Sequence, residues 1–421
     1  MEVQGFSNKL GLFQAPATET GIENNYWVQI RPTSQITSGG VIDFTVPGNT
    51  LQYLNLFETT LPIVCKVVNK NGSDTEITDF ATPSNLLLHS LWSQMDVSIG
   101  QKAVSPGIST RYPYKAMLDV VMGMNKNEWG SKGVCMMYYR DNYLNMDANI
   151  PASSPVNTAL FNRHERSKLS KTIDMEGPLY NDIFQQKRLL LNGVAMSIKL
   201  YPSSDAFRLL SNKTDYRIEI TDAILKVCYV KVSPGILLGH SEALKIGPAR
   251  YFFDESVIKT FAIASGQYSL TADDIFQGNV PKSLTVALVS SEALNGSFNK
   301  NPYNFKNYDV NFCGFYVDGQ SCPFEALQPN FDSGAYIAAY ITAIKESSLN
   351  GITFDEFKSG YTIYKFDLRQ SKNGVLSEKK RGHTCLEIRF SKPLPETATA
   401  FIYGKFDQEM RIDQTRGVML K

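Results

Sequence analysis

A short motif occurs twice along the chain, about half the chain length apart. Residues 97–101 read Val-Ser-Ile-Gly-Gln, and residues 316–320 read Tyr-Val-Asp-Gly-Gln. Each copy is followed by a polar, proline-containing spacer, a tyrosine and a segment with helical periodicity. Gly100 and Gly319 therefore lie 219 residues apart in equivalent surroundings. A fold built from two similar halves is the simplest explanation of this spacing.

A second pair of motifs has the same offset. Leu61-Pro62 and Val280-Pro281 are again 219 residues apart, and each precedes a stretch rich in valine and leucine. A chain of 421 residues is also too long for one ordinary domain and suits two domains of about 200 residues. We therefore predict a tandem duplication, with an N-terminal arm at 1–35, a first domain at 36–232 and a second domain at 233–421.

The periodicity along the chain predicts many strands and few helices. Strands are predicted at 41–46, 56–68, 85–101, 194–200, 216–232, 251–264, 283–289, 308–317, 361–368, 384–390 and 399–406. Short helices are predicted at 113–122, 241–246 and 335–346, and residues 124–175 read as a long surface loop. Evenly spaced strands with few helices are typical of all-β sandwiches with short helical insertions.

The stretch from Gly177 to Leu200, GPLYNDIFQQKRLLLNGVAMSIKL, has two parts. In its second part, apolar residues alternate from Val194 to Leu200, which predicts a half-buried strand in a sandwich core. Asn192-Gly193, just before that strand, is a dipeptide typical of tight turns. The first part combines Pro-Leu, an acidic residue, an aromatic residue, Gln-Gln and an arginine.

This combination closely resembles a signature of the double jelly-roll major capsid proteins of Polinton/Maverick elements and adintoviruses. The resemblance is strongest over residues 176–210, and the repeated motifs extend it to most of the chain. The residues that carry it are Pro178, Leu179, Asp182, Phe184, Gln185, Gln186, Arg188, the Leu-Leu-Leu-Asn step at 189–192 and Phe207-Arg208-Leu209. The resemblance implies an all-β fold of two tandem eight-stranded jelly-roll sandwiches, a double jelly roll.

The resemblance also implies a function in a virion. Such proteins form homotrimers in which six sandwiches make a pseudo-hexameric, hexon-like capsomer of an icosahedral capsid around double-stranded DNA. The expected partners are further copies of this chain, a penton protein and minor capsid proteins. Phe13, Tyr26 and Trp27 in the N-terminal arm suggest a strap onto a neighbouring subunit or onto the underside of the shell. The net charge is only +1, so contact with packaged DNA is expected to be weak and non-specific.

The cysteines and the hydropathy pattern bear on localisation. The six cysteines show no metal-ligand spacing, and several lie in apolar runs, so we expect free, buried thiols. They are Cys65, Cys135, Cys228, Cys313, Cys322 and Cys385. No signal-like N-terminal pattern and no run of about 18 apolar residues occurs, so we predict no membrane span and assembly in a reducing compartment inside the host cell.

The sequence offers little chemistry, and we predict no catalytic, cofactor-binding or metal-binding residue and no cofactor. Phosphate-loop, dinucleotide-binding and nucleophile-elbow motifs are missing from the sequence. His383 and Cys385 are two residues apart on a predicted strand and could meet on one face, but a place at the rim of a sandwich explains them better. Basic clusters at 163–168 and 379–381 read as solvated loops rather than as a DNA-binding surface.

Two other functions remain open at this stage. A β-sandwich protein could act as a receptor- or glycan-binding attachment protein, and the tyrosine-rich segment 138–143 is the candidate binding platform. An enzyme that uses Cys385 and His383 is the third reading. Stable trimers favour the capsid reading, whereas monomers that bind glycans favour the attachment protein.

Overall fold

The computed structural model describes residues 20–37, 39–104, 111–147, 156–322, 325–345, 351–369 and 380–421. The strands of the first half are β1 (Ile22–Ile30), β2 (Ile42–Val46), β3 (Gln52–Thr60), β4 (Ile63–Asn69), β5 (Ala81–Pro83), β6 (Trp92–Ile99), β7 (Lys102–Val104), β8 (Ile173–Met175), β9 (Met196–Pro202), β10 (Leu209–Ser211), β11 (Tyr216–Ala223) and β12 (Leu225–Val232). Its helices are α1 (Leu87–Ser90), α2 (Tyr112–Gly123), α3 (Lys126–Glu128), α4 (Thr158–Ser167) and α5 (Asp205–Arg208).

The second half is likewise built mostly of strands with a few short helices. Its strands are β13 (Ala249–Ile263), β14 (Ser269–Asp273), β15 (Ser283–Ser290), β16 (Val310–Val317), β17 (Gln320–Ser321), β18 (Ile363–Asp367), β19 (Thr384–Phe390), β20 (Ala398–Ile412) and β21 (Val418–Leu420). Its helices are α6 (Pro234–Ile246), α7 (Ser291–Asn295), α8 (Ile337–Ile344) and α9 (Phe354–Lys358). One sheet has the order β13-β20-β15-β18 with β21 on β20, and the other has the order β14-β19-β16-β17.

The first half has the same topology once two bent strands are recognised. Strands β3 and β4 are separated only by Leu61-Pro62, and β11 and β12 only by Ile224, whose N–H donates to the Pro62 carbonyl at 3.0 Å. Strand β12 pairs with β3, and β11 pairs with β4, so each pair of segments forms one long strand bent at the proline. The resulting sheets run β1-β12/β11-β3/β4-β8 and β2-β9-β6-β7.

The strand order is therefore identical in the two halves. We number the main strands of each half from one to eight, leaving out the small β5–β10 pair and β21. Both halves then have one sheet in the order 1-8-3-6 and a second sheet in the order 2-7-4-5, with antiparallel neighbours throughout. Two packed four-stranded sheets of this kind form a jelly-roll sandwich. The predicted fold class is confirmed.

The repeated motifs occupy the same places in the two sandwiches. Gly100 lies in the tight turn between β6 and β7 with φ of 60°, and Gly319 lies in the turn between β16 and β17 with φ of 78°. Both turns need positive φ, which glycine adopts without steric cost. Leu61-Pro62 precedes β4, the second segment of the bent third strand of the first sandwich. Val280-Pro281 precedes β15, the third strand of the second sandwich. These matches support the duplication.

The N-terminal boundary needs a correction. Strand β1 lies inside the segment predicted as an arm, yet it pairs along its length with β12, Trp27 facing Cys228. It supplies the first strand of the first sandwich, so the predicted start at residue 36 is too late. Clean alternation of apolar residues is missing from this edge strand, which is why the sequence reading overlooked it. Phe13 lies outside the described residues.

Two other predictions for the first half are only partly right. Residues 124–175 contain α3, one turn of π-helix at Trp129–Gly133, α4 and β8, so the segment is not simply a loop. Buried thiols are confirmed for Cys65, Cys228 and Cys313, whereas Cys135 is exposed and the other two cysteines are half-buried.

The strand that follows Asn192-Gly193 forms as predicted. Gly193 has φ of 78°, and Val194, Met196, Ile198 and Leu200 are all buried in the first sandwich. Strand β9 is central in its sheet, because it pairs with β2 on one side and β6 on the other. Both of its edges are therefore paired, and its apolar face is buried in the sandwich core.

We predict that Ile198→Asp prevents folding of the first sandwich. The substitution places an unpaired carboxylate in a fully enclosed core, which costs several kcal/mol, comparable with the whole stability of a domain, about 5–15 kcal/mol. Ala195→Asp, at an exposed position before the same strand, is the matched control and should remain soluble. Soluble, cooperatively melting Ile198→Asp protein would contradict the assignment.

Candidate functional site at the junction of the two sandwiches

The signature stretch lies between the two sandwiches. Asn181 begins a short 3-10 turn, Asp182–Gln185, and its side chain accepts a hydrogen bond from the Ile183 N–H at 3.3 Å. This N-terminal cap fixes the backbone conformation at the start of the turn, and with it the direction of the Asp182 side chain. Ile183 and Phe184 are buried beneath it. The residues of the signature thus aim a buried carboxylate at the second half.

The carboxylate of Asp182 binds groups from both halves of the chain. It accepts hydrogen bonds from the N–H and the hydroxyl of Ser256 in β13, each at 2.8 Å. It also forms an ion pair with the ammonium of Lys115 in α2, at 3.1 Å. All three residues are buried. One carboxylate therefore connects the signature stretch, a helix of the first sandwich and a strand of the second.

A second carboxylate completes this buried cluster. Lys115 also pairs with Asp119, one helical turn along α2, at 2.7 Å. The hydroxyl of Tyr403 in β20 donates to Asp119 at 3.3 Å, and Lys405 lies 3.7 Å from it. Burial alone would raise the pKa of Asp119, but the ammonium groups of Lys115 and Lys405 and the hydrogen bond from Tyr403 together outweigh it, so the pKa is lowered. Both partners of the Lys115–Asp119 pair remain charged at neutral pH.

A separate buried network lies around Asp141. This carboxylate forms an ion pair with Arg163 of α4 at 3.0 Å, with both side chains fully buried. It also accepts hydrogen bonds from Asn85 at 2.9 Å, from Asn157 at 3.1 Å and from Asn301 of the second half at 3.2 Å. The reading of 163–168 as a solvated loop is wrong for Arg163, which neutralises a carboxylate in the interior.

The tyrosine-rich segment 138–143 also faces the second half. Arg140 makes a bidentate pair with Glu356 of α9, at 2.9 and 3.0 Å, and its guanidinium lies 3.7 Å from the centre of the Tyr361 ring. Tyr138 is fully buried and accepts a hydrogen bond from Arg140 at 3.2 Å. The segment is therefore part of the junction, and the prediction of an exposed aromatic platform is wrong.

The C-terminal segment makes a further polar contact between the two halves of the chain. Arg416 donates from Nε to the Asn192 carbonyl at 2.7 Å and from Nη2 to its side-chain oxygen at 3.0 Å. The side chain of Arg416 packs closely against Gly193, because a Cβ added to this glycine would lie only 3.2 Å from the Arg416 Nε. Val418 packs against the Gly100 turn in the same way. The turns at Gly193 and Gly100 of the first sandwich are therefore docking points for the C-terminal segment.

Apolar and aromatic contacts fill the space between these polar groups. The ring of Tyr114 lies 4.9 Å from that of Phe401, and its hydroxyl donates to the Pro302 carbonyl at 2.9 Å. Ser90 and Tyr303 share a hydrogen bond of 2.6 Å. The buried apolar residues of both halves form a single cluster. The junction is therefore a continuation of the two cores.

Sequence reading missed the junction residues other than Asp182. One signal was present in α2, where Lys115 and Asp119 stand four residues apart among apolar neighbours. An isolated pair of opposite charges inside an otherwise buried helix indicates a buried ion pair. The remaining contacts join residues far apart in the sequence, such as Arg140 and Glu356, so no local pattern marks them.

The candidate catalytic residues are not arranged for catalysis. Burial, together with a hydrogen bond to Asp273, raises the pKa of the Cys385 thiol to about 12, so very little thiolate exists at neutral pH. His383 precedes β19 and is exposed, and its backbone N–H donates to Asp318 at 2.8 Å. The rim-of-sandwich reading explains these residues.

The described part of the chain shows neither a candidate metal site nor a helix that could span a membrane. It contains no group of three or more His, Cys, Asp or Glu side chains that could hold a metal ion. No helix within the described ranges is both long enough and apolar enough to cross a bilayer. In the second basic cluster, Lys380 and Arg381 are exposed, and Lys379 lies outside the described residues.

Solved structures of virus proteins share this architecture over their whole length. A chain of the Sputnik virophage aligns with a TM-score of 0.64 at 11% identity, covering 100% of this chain and 92% of that one. The mavirus major capsid protein aligns with a TM-score of 0.54 at 12% identity, covering 100% and 95%. The Faustovirus major capsid protein aligns with a TM-score of 0.59 at 7% identity, covering 94% and 92%. These likenesses show the double jelly-roll fold.

One curated sequence relative spans the same length. The uncharacterized protein F54H12.2 of Caenorhabditis elegans is 25% identical over 425 residues, which cover 95% of this chain and 98% of that protein. No protein-family model matches the chain. The likeness therefore extends through both sandwiches and the junction between them.

We predict that Lys115→Met strongly destabilises the protein. The substitution leaves Asp119 and Asp182 buried without their cation, which costs about 3–5 kcal/mol in the free energy of unfolding. Lys132, which forms an exposed pair with Glu128 at the same four-residue spacing, is the matched control, and Lys132→Met should cost under about 1 kcal/mol. Chemical denaturation measures both, and equal small losses would refute the role of Lys115.

A second prediction concerns the buried His89, which contacts the signature residue Tyr180 at a ring distance of 4.9 Å. Its Nδ1 shares a 2.8 Å hydrogen bond with the Tyr112 hydroxyl. Burial, reinforced by the Lys115 ammonium, lowers the pKa of His89 from 6.5 to about 3. Below pH 6.5 only the unfolded chain takes up this proton, so stability falls as the pH falls from 6.5 towards 3.

Between pH 7 and pH 5 the wild-type protein should therefore lose about 2 kcal/mol more than His89→Gln, which cannot titrate. His383→Gln, at an exposed position, is the control and should keep the wild-type pH dependence. Denaturant titrations at the two pH values measure the difference. Identical pH dependence of wild type and His89→Gln would exclude a buried neutral histidine.

Proposed function

We propose that this protein is the major capsid protein of an icosahedral double-stranded DNA virus or virus-like element. The observation that carries the proposal is the pair of sandwiches with identical strand order, held together by a continuous buried junction. A capsid tile needs two such units fixed at one angle, whereas a binding module or an enzyme needs a site. The full-length likeness to the mavirus and Faustovirus major capsid proteins supports the same conclusion.

The working unit in this proposal is a homotrimer. Each copy contributes two similar sandwiches, so three copies around a threefold axis give a ring of six units with a near-hexagonal outline. One repeated heterologous contact closes the ring, and capsomers of this shape pack on a flat facet. The further partners are a penton protein at the vertices and minor capsid proteins. Contact with packaged DNA is weak and non-specific, consistent with a net charge of +1.

The lineage in this proposal is that of Polinton/Maverick elements and adintoviruses. The signature at 177–200 supports it, and its Asp182 takes part in the junction between the two sandwiches. A relative encoded by an animal, alongside a fold found in virions, is what an element carried in host genomes would produce. The localisation we propose is the virion, after assembly in a reducing compartment that keeps the six thiols free.

We predict a mass in solution of about three chains that persists on dilution to micromolar concentration. An obligate interface of this kind should bury roughly 2,000 Å² or more per contact. Size-exclusion chromatography with light scattering gives the mass, and negative-stain electron microscopy should show hexagonal particles. A stable monomer would remove the main support for the capsid proposal, and a monomer that binds glycans would favour an attachment protein instead.

A further inference from the structure

Helix α8 of the second sandwich presents an apolar face to solvent. Ile337 and Ile341 are four residues apart, so their side chains share one side of the helix. They are 59% and 47% exposed. Phe354, at the start of α9, is also exposed and stacks on Tyr336 at 4.3 Å. Adjacent exposed apolar residues of this kind mark an interaction surface.

The equivalent helix of the first sandwich is α2. Both helices lie between the fifth and sixth strands of their sandwich, α2 between β7 and β8 and α8 between β17 and β18. Each follows the repeated glycine turn, and a buried tyrosine lies at the start of each, Tyr114 in the first turn of α2 and Tyr336 as the residue that precedes α8. These tyrosines place the two helices in register.

In that register, Lys115 corresponds to Ile337 and Asp119 corresponds to Ile341. Asp119 contacts Tyr403 and Lys405 of the second sandwich directly. Lys115 reaches the second sandwich through Asp182, which binds Ser256, and Tyr114 packs on Phe401 beside them. The face of α2 that holds the two sandwiches of one chain together is thus the face that α8 leaves exposed. A trimer of two-sandwich chains has three contacts within chains and three between chains, arranged alternately.

The surface that receives α2 is the outer face of the 1-8-3-6 sheet of the second sandwich, at Tyr403 of β20. The same sheet of the first sandwich contains β1, β12 and β3. On β3, Asn55 lies next to the inward-pointing, buried Leu54 and so belongs to the outer face, and Phe57, which is 46% exposed, follows it in the irregular part of β3 where the pairing with β12 is interrupted. Trp27, 56% exposed, lies on that face because its register partner Cys228 pairs with Asn55.

We propose that the Ile337–Ile341 face of α8 docks on the outer face of the β1-β12-β3 sheet of a second copy of this chain, against Phe57 and Trp27. The inference rests on the proposed trimeric capsid function and names the contact that closes the trimer. Apolar residues suit a contact between chains, since their burial drives association from dilute solution. If a Lys–Asp pair lay at this contact instead, both charges would have to lose their water as two fully hydrated molecules associate, and this desolvation costs free energy.

The test is the mass of the double variant Ile337→Glu and Ile341→Glu. Both positions are exposed in the single chain, so the variant should keep the wild-type circular dichroism spectrum and still unfold cooperatively. Its mass should fall from three chains to one under conditions where the wild type is trimeric. Ile77→Glu with Leu144→Glu, two exposed apolar residues in loops, is the matched control and should remain trimeric.

The outcomes separate the two proposals. A monomeric wild type overturns the proposed function itself. A trimeric wild type with a trimeric, folded Ile337→Glu and Ile341→Glu variant overturns only the docking inference. The reciprocal variant, Trp27→Glu with Phe57→Glu, should also lose the trimer, and retention of the trimer there would exclude this receiving surface.

A cross-link keeps the inference testable if a charged variant aggregates. The variant Ile341→Cys with Phe57→Cys, in a Cys135→Ser background that removes the exposed thiol, is treated with a short bismaleimide. Denaturing gels should show covalent dimers and trimers, and either cysteine alone should give only the background. A trimeric protein that yields no chain-to-chain link would contradict the docking.

Discussion

The arrangement of the two sandwiches depends on one buried carboxylate. Asp182 accepts two hydrogen bonds from Ser256 and pairs with Lys115, so its partners come from the signature stretch, α2 and β13. A buried ion pair contributes little net stability, because desolvation of the charges offsets their attraction. Losing one partner, however, leaves a buried charge uncompensated. The cluster therefore penalises other orientations of the sandwiches and favours one.

Three polar contacts surround this cluster and act at different places on the junction. Arg140 binds Glu356, Asp141 binds Asn301, and Arg416 binds the Asn192 turn. A single contact would leave rotation about itself free, whereas separated contacts remove that freedom. The continuous apolar cluster between them supplies the burial energy. The chain is consequently one body with two similar halves, the property required of a repeating tile.

Most strand positions and the repeated glycine turn were readable from the sequence, because alternation and equal spacing are local or periodic properties. The apolar face from Val194 to Leu200 and the turn at Gly193 appear as predicted. The junction was not readable, since Arg140 and Glu356 meet only after both sandwiches have formed. Arg163 illustrates the same limit: a charged residue in a polar stretch is normally solvated, and only the approach of Asp141 makes its burial tolerable.

The two halves have kept their strand order but diverged on one helix face. Within a chain, the second sandwich is held near the first at high effective concentration, so α2 can use a charged cluster whose value is orientation rather than affinity. A chain-to-chain contact has no such tether and must recover the cost of association from buried apolar area. Isoleucine at the two matching positions of α8 meets that requirement. In the proposed trimer, two sandwiches of the same topology would therefore make alternating contacts of similar geometry from different chemistry, and a net charge of +1 would let many copies pack without long-range repulsion.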